Sequence, residues 1–362
     1  MSKIAVNEIT NEAGTGAPSF NEGINATSLN GGQFGGRRNL IINGAMQVAQ
    51  RGTSSTSNGY GSVDRFDVQY SGGTITQSQE SLSSGSPHDA GFRNFLRATV
   101  TSAGSNTSED FCYLVQYIEA QNMANSGWNY TSSSSYATVQ FWVRSSVAGT
   151  YYCVLRSLDG TNQGYVIPVT LSADTWTKVT HTFSGGTNVQ FNNDNGEGLE
   201  LSIRPFVGTD YSNSSVVTES WYARSGTTQT PDYTHTWQQT SGATFDLTGV
   251  QLEVGDTATP FEHRSYGEEL ALCQRYYEVQ TIPNRTAYSY GLQGSNKLVH
   301  STNLAQEKRS SPSVTILDTP RYYNASSISV SVSKTFAIHA ATLSFNGDYL
   351  AVDYSVAFDA EI

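Results

Sequence analysis

The sequence predicts an all-β protein: a jelly-roll β-sandwich, a short connecting helix and a small C-terminal β-sandwich domain. Three observations carry that reading. Short runs alternate apolar and polar residues with the period of two that a half-buried strand requires. Clusters of Gly, Ser and Asn separate the runs, with no helical stretch between them over most of the chain. One helical pattern, opening at Ser265, interrupts the strands late in the sequence and divides them into two groups.

Residues 1–36 are rich in Gly and Asn and poor in aromatic side chains, so alone they bury little apolar surface. They form either a disordered tail or an arm ordered by a partner. For the arm, Ile4, Val6 and Ile9 are the attachment candidates.

Residues 37–263 read as the jelly-roll domain. Its expected strands are 63–70, 94–101, 112–119, 137–145, 150–157, 164–171, 175–183, 198–206 and 243–253. Strands joined without helices build two packed sheets. Alternation places Val139, Phe141 and Val143 toward the core and Gln140, Trp142 and Arg144 outward. In the next strand Cys153 and Leu155 face opposite to Tyr152 and Arg156, so Trp142, Arg144 and Tyr152 are expected together on an outward face. A long irregular stretch between Phe206 and Ala243 carries Tyr211, Trp221, Tyr222, Tyr233 and Trp237, and long loops in compact domains are often functional.

Residues 264–278 contain the helix. Ser265, Tyr266, Gly267 and Glu268 fit a capping box, in which hydroxyl and carboxylate satisfy free backbone donors reciprocally. Tyr266, Leu270, Cys273 and Tyr277 fall on one stripe. A helix this short needs support, so the stripe packs on a β-domain or on other copies of the chain. These four are the oligomer-interface candidates. Residues 279–362 return to strands, expected at 287–293, 297–302, 313–317, 327–332, 335–344 and 349–359. So small a domain is marginal alone, and an oligomeric partner surface would help it.

The 362 residues suffice for two domains of ~150 residues each. Charged residues are only 14%, but 21 Tyr, 15 Phe and 5 Trp supply ample core material. Net charge is −11, and Arg37-Arg38 and Lys308-Arg309 are isolated basic pairs. Nucleic-acid binding, which needs clustered cations, is therefore not expected. No apolar run approaches the ~20 residues of a membrane helix, so membrane insertion is not expected. The N-terminal run lacks an apolar h-region, and Cys112, Cys153 and Cys273 are too few for a disulfide framework. The chain is expected to be synthesised and assembled in a reducing cytoplasm.

Chemical motifs are sparse. Gly31-Gly32 and Gly35-Gly36 lack the Lys-Ser/Thr of a phosphate loop, no Cys/His spacing suits zinc, and the Gly-x-Ser-x-Gly elbow is missing. No catalytic residues and no cofactor are assigned. Asp194, Glu197 and Glu200, like Asp64 and Asp67, are close enough in sequence to keep a carboxylate pair in view. Asp-rich loops also offer the oxygen ligands of a structural Ca²⁺ without localising one. The strongest signal is for sugar, whose faces stack on aromatic rings while Arg, Asn and Gln bond hydroxyls. The carbohydrate-binding candidates are Trp142, Arg144, Tyr152, Trp221, Tyr222 and Tyr233; rim or subunit-interface roles are the alternative.

Two stretches resemble a family of bacteriophage tail-fibre and related virion proteins. The first is Arg38–Met46 (RNLIINGAM), followed by Gln50-Arg51-Gly52 and Val63-Asp64-Arg65-Phe66. The second is Leu247–Gly255 (LTGVQLEVG), then Ala258–Glu262 (ATPFE) and Tyr266–Tyr277 (YGEELALCQRYY). Family members usually carry an acid where Ala45 stands, so any contact of that acid is missing here. The N-terminal residues also resemble virion-attachment segments, and the C-terminal domain matches only by its position and its ending, Asp359-Ala360-Glu361-Ile362. The resemblance implies a carbohydrate-binding-module-like jelly roll, a homotrimer, and attachment to other virion proteins through the N-terminal arm. It makes the expected function that of a non-enzymatic virion appendage, a tail fibre, binding host-surface glycan. A purely structural virion component (capsid fibre, tail adaptor or decoration) and a glycan depolymerase are the alternatives. The location implied is the virion.

Overall fold

The computed structural model describes residues 38–105, 107–287, 297–323, 325–343 and 350–362. It also describes one short antiparallel ladder of β1 (Ser28–Leu29) and β2 (Gly32–Gln33). Ile4, Val6 and Ile9 lie outside the described residues. Strand alternation builds two antiparallel six-stranded sheets. Across the first run β13 (Trp221–Ala223), β10 (Gln163–Leu171), β9 (Gly149–Ser157), β12 (Glu197–Val207), β7 (Phe111–Glu119) and β4 (Asp67–Ser71). Across the second run β11 (Thr177–Ser184), β8 (Tyr136–Ser145), β14 (Thr244–Val254), β6 (Asn94–Ser102), β5 (Thr74–Ser81) and β3 (Ser54–Ser55).

The sheets pack face to face as a β-sandwich. Val139, Phe141 and Val143 of β8 and Phe245 and Leu247 of β14 meet Cys153 and Leu155 of β9 and Leu199, Leu201 and Ile203 of β12 in one core. The three cysteines are free and buried, and burial pushes the Cys153 thiol up to about 12 against the opposing charge of Arg204. Most strands fall where alternation predicts them. β5 escapes prediction because its inward residue Gln77 is polar. Fully buried, Gln77 donates from Nε2 to the carbonyls of Ser57 and Gly59 at 2.8 Å each, which makes a polar side chain acceptable inside.

The C-terminal strands form two smaller sheets. One pairs β15 (Tyr277–Ala287) and β17 (Ser313–Ile316) on either side of β21 (Leu350–Asp359), with β18 (Arg321–Tyr323) also on β21. The other runs β16 (Lys297–Asn303), β20 (Phe336–Leu343), β19 (Ala325–Val332). Ile282, Ala337, Tyr354, Val356 and Phe358 lie in their shared core. β15 opens soon after the helix, where no strand is expected from the sequence, and of the strand expected at 287–293 residues 288–293 lie outside the described residues.

The helix, α3 (Tyr266–Gln274), which follows the short α1 (Ser86–Asp89) and α2 (Ala120–Ala124), has the predicted capping box: Ser265 Oγ accepts from Glu268 N at 3.4 Å and Glu268 Oε2 accepts from Ser265 N at 2.9 Å. Its buried face differs from the apolar stripe. Tyr266 is 57% exposed and Leu270 half-buried, whereas Glu269, Cys273 and the following Tyr276 are buried. Glu269 accepts from Asn43 N at 2.5 Å and from Arg264 Nη1 at 3.3 Å. The helix thus docks on the sandwich partly through polar contacts, which apolar periodicity does not register. Cys273 and Tyr277 are buried within this chain, leaving Tyr266 and part of Leu270 for any contact between copies.

The segments that carry the sequence resemblance converge at this junction. Asn39 Oδ1 accepts from Ile41 N and Leu252 N at 3.0 Å each, while its Nδ2 donates to Val250 O at 3.1 Å. Gly44 lies so close to β14 that an added Cβ would sit 2.0 Å from Val250 O. Asn43, at φ 59°, donates to Val48 O and Asp64 O; Asn tolerates that left-handed conformation better than most residues. Arg65, fully buried, lies 3.5 Å from the Tyr276 ring centroid, donates to Tyr117 O at 2.6 Å and pairs with Glu361. Arg51 pairs with Asp359 at 3.0 Å and Glu361 at 3.4 Å over the Tyr277 ring. Arg275 grips Glu119 of β7 at 2.7 and 2.8 Å, and Tyr276 donates to the same carboxylate at 2.6 Å. Burial opposes ionisation of Glu119, but these hydrogen bonds outweigh it and hold the carboxyl below its ordinary range.

Candidate functional site

The outward face of the second sheet carries a cleft of about 540 Å³. β8 alternation brings Trp142 there, and cross-strand pairing places Lys178 of β11 beside it. β14 bulges between Thr248 and Gln251, where Gly249 adopts φ 64°. A Cβ on Gly249 would meet Phe92 Cζ at 2.7 Å and Trp142 Cδ1 at 3.1 Å, so the missing side chain lets the two rings close over the strand. Phe92 follows the short helix α1 (Ser86–Asp89) and stacks edge-on against Phe261, with ring centroids 4.8 Å apart. Phe261 belongs to the segment after the Pro260 break, which Gln140 ties down by donating to Thr259 O at 2.6 Å. His263 lies 5.2 Å from Phe92, with Nε2 3.3 Å from Ala90 O. The cleft is thus floored by aromatic rings and rimmed by Lys178 and His263, both exposed.

Arg144 is adjacent but committed. It donates to Asp246 Oδ2 from Nε at 2.8 Å and Nη2 at 2.6 Å, while Arg97 grips both oxygens at 2.7 and 3.0 Å. Its guanidinium packs 4.8 Å from the Trp176 ring centroid. Arg144 therefore braces the sheet beside the cleft.

The other candidates do not join Trp142. Tyr152 faces outward from the first sheet, on the opposite side of the sandwich, because β8 and β9 belong to different sheets. It is only 6% exposed, covered by the irregular segment after β12, with the Tyr233 ring edge-on at 5.0 Å. Tyr233 donates to Arg204 O at 2.9 Å and Tyr222 to Thr228 O at 2.9 Å. Burial pushes both phenols up. Trp221 donates to Ser184 O at 2.8 Å and packs on Tyr165 at the sandwich edge. The long stretch thus folds onto the first sheet and spends its aromatic rings on packing.

Under that cover lies a buried ionic row. Glu200 accepts from Arg204 at 2.8 Å and from Arg156 at 3.3 Å. Burial opposes its ionisation, but Arg204, Arg224 and Arg156 prevail and hold it below the usual carboxylate range. A carboxylate so clamped is a poor proton donor, and Asp194 sits apart, accepting from Gly196 N at 2.9 Å. Asp64 and Asp67 are each pushed up to about 6, by burial first. Asp64 accepts from Gln50 N and Nε2 at 2.9 and 2.5 Å in the junction. Among the described residues no group of three or more His, Cys, Asp or Glu is placed to hold a metal ion, and no helix is long and apolar enough to cross a membrane.

Sequence reasoning missed Phe92, Lys178, Phe261 and His263. Only the Ala258–Glu262 motif pointed toward one of them, and it marks a strand end as readily as a cleft wall.

No protein-family model and no curated protein matches the sequence. Solved structures match about three fifths of the chain at low identity. A CBM4 carbohydrate-binding module aligns at 12% identity over 59% of this chain and 99% of its own, with TM-score 0.31. The CBM22-1 xylan-binding domain of Paenibacillus barcinonensis aligns at 11% over 64% and 100%, with TM-score 0.30. A cyclase from Fischerella aligns at 10% over 62% and 100%, with TM-score 0.34. The sandwich architecture rests on the strand order described above.

Proposed function

We propose that this protein is a non-enzymatic virion appendage, a bacteriophage tail-fibre subunit, that binds host-surface glycan at the Trp142 cleft. The observation that carries the binding reading is the cleft itself: the partly exposed rings of Trp142 and Phe261, seated on the buried Phe92, line an open groove with polar groups at its edge. Ring faces take the apolar faces of sugars, and edge donors take hydroxyls, the general form of a small-ligand site. The phage reading rests on the resemblance of the Arg38–Phe66 and Leu247–Tyr277 motifs. The structure gives their polar residues scaffold roles at the junction, compatible with a chassis shared among fibres that bind different receptors.

The N-terminal arm would dock on other virion proteins, and three copies would assemble into a fibre. Val299, Phe336 and Ile338, at 58%, 41% and 39% exposure, put apolar side chains on the surface of β16 and β20, which suits contact between copies. Weak sugar contacts would then add through multivalency. The same exposed residues favour the second reading, a purely structural virion component contacting other proteins. Binding of purified protein to host cells tests the proposal: retention by intact cells, abolished by stripping surface polysaccharide and by W142A, is expected. No binding by the assembled protein would reject it, and release of soluble sugar would replace it with a depolymerase.

A further inference from the structure

We propose that the Trp142 cleft selects an acidic saccharide, one whose sugar carboxylate sits on Lys178; this rests on the glycan reading of that cleft. The argument is one of charge against background. The chain carries 31 acids against 20 bases, for a net −11, yet no Asp or Glu lines this groove. Lys178 is exposed and stands directly across from Trp142 in the β11–β8 ladder, and none of the ion pairs among the described residues includes it.

Several neighbouring charges are already partnered, whereas Arg93, whose Nη1 donates to Phe92 O at 2.8 Å and His88 O at 3.0 Å, and Arg38, whose Nη2 donates to Pro260 O at 3.4 Å, stand near the groove without an ion pair among the described residues. Arg97 and Arg144 share Asp246, and Glu80 also acts on Arg97. Glu253 lies behind the cleft wall, accepting from Thr259 N at 2.8 Å and Thr259 Oγ1 at 2.6 Å. Asp89, beside the lining residue Ala90, is largely exposed and 3.5 Å from His88 Nδ1. Among the described residues that line the cleft, Lys178 is thus an ammonium that no protein acid has claimed. A sugar ring stacked on Trp142 would bring a ring carboxylate within reach of a flexible ammonium one strand away. A neutral sugar would use the same rings but leave Lys178 only its solvent contacts. An ammonium acts as a point charge without a fixed bidentate geometry, so selection would be for charge more than for one particular acid sugar.

The test uses the full chain and defined probes: a glucuronate-containing tetrasaccharide and the same tetrasaccharide with its carboxyls reduced to alcohols. Isothermal titration at low salt is expected to give at least tenfold tighter binding of the acidic probe. K178M, which keeps the apolar stem, should reduce that preference to within twofold while circular dichroism stays unchanged. Raising salt should erode the wild-type preference. Equal affinities for the two probes, or a preference that survives K178M, would overturn the acidic selection while leaving the glycan reading intact. Binding of both probes that W142A does not weaken would overturn the location of the site. Failure of both probes to bind the wild type would count against both.

Discussion

Replacing Glu361 by Gln should destabilise the protein out of proportion to the change in size. Glu361 lies beyond the last strand, yet its carboxylate neutralises Arg65, whose side chain is 1% exposed, and faces Arg51 at 3.4 Å. Removing one partner of a buried ion pair costs about 3–5 kcal/mol, because the other charge stays buried and uncompensated. Two features place E361Q at the low end. Arg65 keeps Tyr117 O at 2.6 Å and the Tyr276 ring, and Arg51 keeps Asp359 at 3.0 Å. The expected loss is about 3 kcal/mol, roughly a hundredfold in the unfolding equilibrium. Gln preserves the backbone contacts of this residue, including Arg309 Nη2 to Glu361 O at 2.9 Å, so the effect isolates the charge. Urea unfolding followed by far-UV circular dichroism and tryptophan fluorescence measures it, with coincidence of the two probes checking for separate domain transitions. R65M should be costly alone and far less costly in the E361Q background, because the uncompensated cation is then gone. An E361Q variant within about 0.5 kcal/mol of wild type, the range of an ordinary surface change, would refute the view that this ion pair clamps the terminal strands to the sandwich.

Three further outcomes are expected. G249A should lose about 1–3 kcal/mol, from a strained left-handed backbone and contact with Phe92 and Trp142, and should weaken glycan binding by more than any loss of folded fraction explains. For Asp67, burial raises the folded pKa to about 6 from the ordinary 3.8 of an aspartate, so ionisation destabilises the fold and stability falls as pH rises from about 4 to 6. D67N should therefore be more stable than wild type at pH 7 by about 1–3 kcal/mol, with the difference vanishing below about pH 4 in pH-dependent urea titrations. S265A removes one half of the capping box and should cost about 1 kcal/mol, read as a midpoint shift without change in glycan binding.

Much of the architecture was legible because strands and caps are local. The inward triplet Val139, Phe141 and Val143 and the Ser265 cap both follow from near-neighbour spacing. β5 was not legible because Gln77 satisfies its amide inside the sandwich, a fact set by loops far away in sequence. The docking face of the helix was hidden for a related reason, since Glu269 is buried by hydrogen bonds that hydrophobic periodicity does not record. Trp142 was legible as outward-facing, but its companions come from β11, the loop after α1 and the segment beyond Pro260. Tyr152 was assigned to the wrong company because alternation reveals which way a residue points, not which sheet its strand joins. The six aromatic and basic candidates accordingly divide into one cleft residue, one brace and four residues that pack the sandwich and its covering segment.

The most direct test is a crystal structure of the protein soaked with oligosaccharides released from the surface polysaccharide of a cell that it binds. Sugar density stacked on Trp142, between Phe261 and Lys178, is the predicted result. Sugar bound instead on the outer face of the first sheet, against Tyr222 or Tyr233, or on the C-terminal sheets with the Trp142 cleft empty, would contradict it.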